Sequence, residues 1–165
     1  MAEVTVADSG PLIALARVDL LRLLRDVAGP VLIPRHVERE LLARKSEDSR
    51  RIAAIIGGVL EIRAVQTITE AEAAATRNLD LGEAEAICLA HQLGAPLFID
   101  EVKGRNAANR LGTQVVGTVA ILVTAKRLEL VAEVLPILAQ MRHIGYWLAD
   151  SLFKRAAALA DEFYP

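Results

Sequence analysis

Short apolar runs alternate along the chain with longer segments in which apolar residues recur with a helical period. Short runs bounded by glycine or proline are typical of buried strands, and the longer periodicity is typical of helices. The runs predict strands at residues 4–8, 31–33, 97–99 and 114–116, and alternating apolar and polar residues predict a strand with one exposed face at 59–65. Strands that alternate with helices indicate parallel βαβ units, so we expect an α/β fold, a three-layer α/β/α sandwich with a central parallel sheet.

The remaining segments predict the helices and where each of them begins. The first helix begins near Leu12, and others are predicted at residues 20–27, 35–44, 48–56, 69–77, 83–93, 102–111 and 118–127. The predicted N-caps are Ser9, Asp19, Thr118 and Thr69, the last in a capping box with Glu72. Residues 130–163 predict two or three more helices. No repeat or linker divides the sequence, so residues 1–165 are expected to form one domain, with the helices from about residue 130 packed on the same core.

Composition restricts the class of protein. Hydrophobic residues make up 53% of the chain and charged residues 24%, which excludes a disordered chain. The single cysteine, Cys88, allows no intramolecular disulfide and fits a cytoplasmic protein with an inert, buried thiol. No signal peptide is expected, because Glu3 and Asp8 interrupt the N-terminus before a long apolar region forms. No membrane segment is expected either, because no apolar stretch approaches the roughly 20 residues that span a bilayer.

Charge and hydropathy suggest how the protein meets its partners. The net charge of -2 means that nucleic acid would have to bind through a local patch or through metal ions. The mean hydropathy of +0.35 is high for a chain with 4% aromatics. Leucines 20, 21, 23 and 24 suggest more apolar surface than one core covers, so we expect a homodimer.

Acidic residues stand at informative positions. Asp8 ends the first predicted strand and Asp100 follows the fourth, and ligands of open α/β sheets gather beyond the carboxyl ends of the strands. Glu83 shares an apolar helix face with Ile87 and Ala90, which directs it toward the core at a helix N-terminus. Glu40 lies on the helix after the second strand. Helical periodicity does not choose between Glu40 and its neighbour at position 38.

Each acid also has an ordinary structural interpretation. Asp8 alone reads as a helix cap, Glu83 as a surface acid favoured by the helix dipole, and Glu40 as a solvated helix residue. Asp80 is better explained as a loop or cap residue. Taken as a set, three or four acids suit hard Mg²⁺ or Mn²⁺ ions, which promote phosphodiester hydrolysis by activating water.

Other catalytic sets are absent from the sequence. The three histidines, His36, His91 and His143, have no metal-ligand spacing and are expected at the surface. The sequence contains no nucleophile elbow, phosphate-binding loop or dinucleotide-binding fingerprint. A phospho-receiver domain would need paired acids after the first strand, whereas Asp8 stands alone there.

Four sequence blocks carry a resemblance to a known family. They are VADSGPLIALARV at 6–18, VEREL at 37–41, LDLGEAEAICLA at 79–90 and LFIDEVKGRNAANRLGTQVVGTVAIL at 97–122. In this order and spacing they resemble the PIN-domain nucleases, which include VapC-type toxins, and the last two are similar to a poorly characterised bacterial and archaeal branch. The resemblance covers almost the whole chain. It implies a Mg²⁺- or Mn²⁺-dependent endoribonuclease, often a homodimer and in some members a toxin inhibited by a small antitoxin.

The resemblance also implies a set of site residues. The catalytic and metal-binding acids would be Asp8, Glu40, Glu83 and Asp100, with Glu101 replacing or assisting Asp100. The family usually has aspartate at the third position, so Glu83 lengthens that ligand arm by one methylene group. Substrate RNA would contact Ser9, Arg105 and Thr118, although a solvated helix face also explains Arg105. The longer arm keeps open the alternative of a PIN-like nucleic-acid or partner-binding module that is catalytically weak.

Overall fold

Five short strands form one parallel sheet in the computed structural model, which describes residues 4–165. They are β1 (Thr5–Ala7), β2 (Val31–Ile33), β3 (Leu60–Ile62), β4 (Leu97–Phe98) and β5 (Val115–Val116), in the order β3-β2-β1-β4-β5. Every neighbouring pair is parallel. The α/β fold with a central parallel sheet, predicted from the alternation of apolar runs and helical segments, is therefore confirmed.

Ten helices connect and cover these strands within residues 4–165. They are α1 (Ser9–Arg17), α2 (Leu23–Ala28), α3 (Arg35–Ala43), α4 (Glu47–Ile55), α5 (Glu70–Thr76), α6 (Leu81–Leu93), α7 (Val102–Arg110), α8 (Thr118–Arg127), α9 (Leu135–His143) and α10 (Asp150–Ala160). The C-terminal region forms two helices, and α10 packs on both α8 and α9. None of the helices described has the length and apolar character that a membrane crossing requires.

The strand order places a crevice beside the first strand. The chain runs from β1 outward through β2 to β3, then returns to the other side of β1 to add β4 and β5. β1 and β4 are paired in register, with Val6 opposite Leu97 and Ala7 opposite Phe98. Since the strand order reverses between β1 and β4, the carboxyl ends of these two strands define the switch point at which open α/β sheets bind ligands.

The core is aliphatic. The three residues of β2 are buried on both faces, as expected for strands covered by helices on either side. Leu21, Leu23 and Leu24 are also buried within the single chain. These three leucines therefore give no support to a homodimer, because one core covers them. Cys88 is buried, and burial raises the pKa of its thiol, in keeping with an inert side chain.

Two helix starts differ from those predicted. Ser9 is the first residue of α1, and Asp8 occupies the N-cap position without a side-chain capping bond. Asp19 does not cap α2, which begins at Leu23; Asp19 has a left-handed backbone, with φ of +58°, in the turn after α1. At both helix starts, the residue predicted as the N-cap does not hold the N-cap position.

Two other starts shift by one or two residues. Gly117 holds the N-cap position of α8, so Thr118 is its first helical residue and not its cap. α6 begins at Leu81 because the side chain of Asp80 accepts a hydrogen bond of 2.8 Å from the backbone N–H of Glu83. The capping box of Thr69 and Glu72 at α5 is confirmed.

Candidate active site

Asp8 lies at the carboxyl end of β1, where its backbone N–H donates a 2.9 Å hydrogen bond to the carbonyl of Phe98 on β4. Its side chain is buried, with 8% of the residue exposed. Burial raises its pKa to about 6, and the charges of Glu40 and Asp80 add to the effect, while the backbone N–H groups of Ser9 and Gly10 oppose it. Ionised Asp8 is therefore disfavoured unless a cation lies beside it.

Glu83 enters the same region from the first turn of α6. The residue is 6% exposed, and its Oε1 atom has no hydrogen-bond partner within residues 4–165. Burial, followed by the charges of Asp8 and Asp80, raises its pKa to about 7. A buried carboxylate oxygen without a partner is costly, so a ligand or a proton is required at this position.

Two glycines make room for the carboxylates. A Cβ atom built on Gly104 of α7 would lie 2.9 Å from Cδ of Glu83, and one on Gly82 would lie 2.7 Å from Cδ of Glu40. Both distances are too short for carbon atoms in contact. Any larger residue at 82 or 104 would therefore displace an acid of the site.

Glu40 lies at the rim of this region on α3 and is exposed. Its pKa is raised by partial burial and by the charge of Asp80, against a lowering by the Ser9 hydroxyl. Glu38, which periodicity could not separate from Glu40, is half-buried beside Arg35, at 4.0 Å. The structure therefore brings Glu40, and not Glu38, to the acids at the sheet edge.

Asp100 is held in a different way from the other acids. Its Oδ1 accepts a 2.8 Å bond from the backbone N–H of Thr118, and its Oδ2 accepts bonds from the hydroxyls of Thr118, at 2.6 Å, and Tyr146. Burial and the Asp100 charge raise the pKa of Tyr146, so its hydroxyl remains a donor. Both oxygens of Asp100 are thus engaged by protein donors, and the hydroxyl of Thr118 positions Asp100.

The remaining predicted residues lie around these acids. Glu101 is exposed at the N-cap position of α7, and its charge contributes to the raised pKa of Glu83. Arg105 is half-buried and donates a 3.2 Å bond to the carbonyl of Ile99. Ser9 is placed beside Glu40. All eight predicted residues therefore lie at the carboxyl ends of β1 and β4 or on helices that meet there.

Two of the three histidines form pairs with other acids. Nδ1 of His36 lies 2.6 Å from Oε1 of Glu85, and Nδ1 of His91 lies 2.8 Å from Oε1 of Glu72. Neither Glu85 nor Glu72 belongs to the set at the sheet edge. His36 also lies near enough to Glu40 for its charge to oppose the rise in the pKa of that acid.

A family model named DUF3368 and described as a PIN domain matches residues 4–162. The match extends over nearly all of the chain, including every strand and every acid described above. The chain belongs to the PIN-domain family. No curated protein matches it. The match confirms, at the level of the family, the resemblance seen in the sequence blocks. PIN domains are generally nucleases that use divalent metal ions.

The carboxylates of this PIN domain suit a divalent cation chemically. Asp8 and Glu83 offer buried, hard oxygen ligands with raised pKa values, and one oxygen of Glu83 lacks a partner. As they stand in the described region, no three side chains of this kind are close enough together to hold an ion. Asp8 and Glu83 would hold the ion, and Glu40 and Glu101 lie exposed at the rim.

Sequence reasoning missed two residues of the PIN-domain site. Asp80 was assigned only a capping role, but its charge also raises the pKa values of Asp8, Glu40 and Glu83. Its position three residues before Glu83 was the available signal. Tyr146 lies 46 residues from Asp100, in the break between α9 and α10, and no local pattern connects the two.

Proposed function

We propose that this PIN domain is a Mg²⁺- or Mn²⁺-dependent endoribonuclease that cleaves single-stranded RNA. The observation that carries the proposal is the buried, unpartnered Oε1 of Glu83 beside Asp8, two acids whose pKa values are both raised. Folding two carboxylates into one poorly solvated region is unfavourable without a counter-charge. A cation that offsets this cost is the simplest reason for such a site in a nuclease family.

The residues of the site would have different roles in the reaction. Asp8 and Glu83 would hold the ion, with Glu40, Asp100 and Glu101 as the further acids of the set. A divalent ion bound there supplies charge neutralisation at the phosphate and activation of water. Arg105, half-buried and near the carboxyl end of β4, would bind a phosphate oxygen of the RNA.

Asp100 and its donors would orient the substrate side of the site. Tyr146 and Thr118 keep the carboxylate of Asp100 in one orientation by donating three hydrogen bonds. With both oxygens so engaged, Asp100 is less free than Glu101 to approach an ion. We therefore favour Glu101 as the neighbour that completes the set with Asp8 and Glu83.

A second function deserves the same test. The chain would act as a nucleic-acid or partner-binding module without turnover if the longer arm of Glu83 prevented a productive set. The spread of the acids, none of which forms a group of three close enough for an ion within residues 4–165, favours this alternative. Binding of RNA or of metal without cleavage would identify it.

The experiment is a cleavage assay on labelled single-stranded RNA with Mg²⁺, with Mn²⁺ or with chelator. We expect cleavage that depends on the metal and stops in chelator. Cleavage that continues in chelator rules out the mechanism, and intact RNA at every metal concentration favours the binding module.

The toxin role and the homodimer both stay predictions. A toxin inhibited by a small antitoxin would have a short reading frame next to its own gene. A homodimer would show twice the mass of the 17.8 kDa chain in light scattering at micromolar concentration. The buried leucines do not support the dimer. The light-scattering test of the dimer does not depend on the active-site proposal.

A further inference from the structure

A groove of about 580 Å³ begins at Asp100 and runs along the C-terminal helices. Its lining includes Thr118, Tyr146 and Trp147, together with Arg105 from α7 and Arg155 from α10. We call it the Trp147 groove. Its volume lies within the roughly 300–1,000 Å³ typical of small-ligand sites. Since Asp100 belongs to both, the Trp147 groove is continuous with the candidate active site.

The side chain of Trp147 is unusually exposed to solvent for a tryptophan. It is the only tryptophan of the chain, and it is 82% exposed in the connection between α9 and α10. Half-buried Tyr146 next to it donates its hydroxyl to Asp100. An exposed indole beside a cavity offers a flat apolar face to a planar ligand, and bases of unpaired nucleic acid stack on such faces.

Positive charge lies in the same groove. Neither Arg105 nor Arg155 forms an ion pair with any residue of the region 4–165, and the one polar contact of Arg105 is with a neutral carbonyl. The groove lining also holds Asp100 and Glu101, and both oxygens of Asp100 accept hydrogen bonds from Thr118 and Tyr146, so the two arginines are the cationic groups that the groove offers to a phosphate. Guanidinium groups without a protein partner suit phosphate oxygens.

We propose that the Trp147 groove binds one unpaired nucleotide of the RNA, adjacent to the phosphodiester held at the carboxylates. Trp147 stacks on the base and Arg155 contacts a flanking phosphate. The proposal rests on the proposed function in taking RNA as the substrate, and it assigns the part of the site that selects single strands. A base paired in a duplex has its faces covered by its neighbours and is not available to Trp147.

Trp147 itself reports on the groove, because no other tryptophan contributes to the fluorescence of the chain. Full-length protein is titrated with a single-stranded RNA decamer in chelator, which prevents metal-dependent cleavage, and in parallel with a duplex of the same sequence. We expect the single strand to quench the fluorescence and the duplex to leave it unchanged. Equal quenching by both would overturn the assignment.

Variants measured with labelled RNA give the second readout. Replacing Trp147 by Ala should weaken binding by roughly 5- to 150-fold, the loss expected for one stacked base, and Trp147→Phe should retain most of the affinity. Phe163→Ala is the matched control, since Phe163 is an aromatic residue that is 87% exposed and is not part of the groove lining. Wild-type affinity in Trp147→Ala contradicts the proposal.

The phosphate contact is tested by salt dependence. Arg155→Ala should lower the slope of log affinity against log salt by about 0.7, the value for one phosphate of a single strand. Lys154→Ala, which changes the neighbouring exposed cation on α10 outside the groove lining, should keep the slope. Equal slopes for Arg155→Ala and the wild type contradict the contact.

The outcomes separate this inference from the nuclease proposal. If the wild type binds single strands through Trp147 but never cleaves RNA with Mg²⁺ or Mn²⁺, cleavage fails and the groove assignment stands. If metal-dependent cleavage occurs while Trp147→Ala binds RNA like the wild type, the groove assignment alone fails. Self-association that disappears in Trp147→Ala, without a change in RNA binding, would make the groove a protein interface and would also overturn it.

Discussion

The carboxylate of Glu83 fills the space that a side chain at Gly104 would occupy. The Cβ of an alanine there would lie 2.9 Å from Cδ of Glu83 and 2.5 Å from Cδ1 of Ile99. Glu83 stands where the resemblance to PIN-domain nucleases implies the shorter aspartate. Because Gly104 on α7 has no side chain, there is room for the longer side chain of Glu83 on α6.

Gly104→Ala should therefore move Glu83 and reduce RNA cleavage at least tenfold, with a loss of roughly 1–3 kcal/mol in the free energy of unfolding from overpacking. Cleavage rates and urea unfolding measure the two effects. Gly58→Ala is the control, because its Cβ would meet one backbone oxygen at an ordinary 3.7 Å. The double variant Glu83→Asp/Gly104→Ala should recover more activity than Ile99→Val/Gly104→Ala, which relieves only the contact with Ile99; equal recovery would show that Gly104 does not act through Glu83.

Asp8→Asn should abolish cleavage while the metal-free protein becomes more stable at about pH 8. Keeping Asp8 ionised against a pKa of about 6 costs roughly 3 kcal/mol, and asparagine removes that charge. For a chain of this size, each kcal/mol corresponds to roughly 2–4 °C in melting temperature. Asp26→Asn, an exposed aspartate on α2, is the control. A folded Asp8→Asn protein with full activity would show that Asp8 is only an N-cap residue.

Stability of the metal-free protein should fall as the pH rises from about 5 to about 8. The pKa values of Asp8 and Glu83 are raised from 3.8 and 4.5 to about 6 and about 7, so the folded state binds protons more tightly than the unfolded chain. The resulting stabilisation is present at low pH and is lost as the pH passes the folded-state values. Thermal melts in chelator measure it, and Asp8→Asn and Glu83→Gln should each flatten the profile. A flat wild-type profile would contradict the raised pKa values.

Tyr146 and Thr118 should be energetically coupled through Asp100. Their hydroxyls donate to the same oxygen, Oδ2, so each single variant, Tyr146→Phe or Thr118→Val, leaves one donor in place. Hydrogen bonds to charged groups contribute roughly 1.5–3 kcal/mol, so the double variant should lose more stability than the sum of the singles. Urea unfolding of the four proteins gives the coupling energy, with Tyr164→Phe as the control. Strict additivity would mean that the two donors do not share Asp100.

Much of the fold follows from local pattern. Short apolar runs located four of the five strands, and the alternation of apolar and polar residues located β3, whose Glu61 is exposed. Helix starts were harder to predict. Ser9, Asp19 and Thr118 all have the chemistry of caps, but the turn that precedes each helix decides which residue takes the cap position.

The candidate site was predictable as far as strand ends and helix faces determine it. Asp8 and Asp100 followed from their strands, and Glu83 from the apolar face that it shares with buried residues of α6. Tyr146 could not be predicted, since its contact with Asp100 depends on how two C-terminal helices return to the sheet. The three-dimensional arrangement of these helices, and with it the Trp147 groove, is a product of tertiary packing.

Calorimetric titration of Mn²⁺ into the wild type, Glu83→Gln and the exposed control Glu133→Gln tests the central claim most directly. We expect one or two ions to bind the wild type and Glu133→Gln alike, and binding to Glu83→Gln to weaken at least tenfold, because its unpartnered carboxylate oxygen loses its charge. Far-ultraviolet circular dichroism of each protein verifies the fold. Unchanged Mn²⁺ affinity in a folded Glu83→Gln protein, or no Mn²⁺ binding by the wild type, would contradict the account.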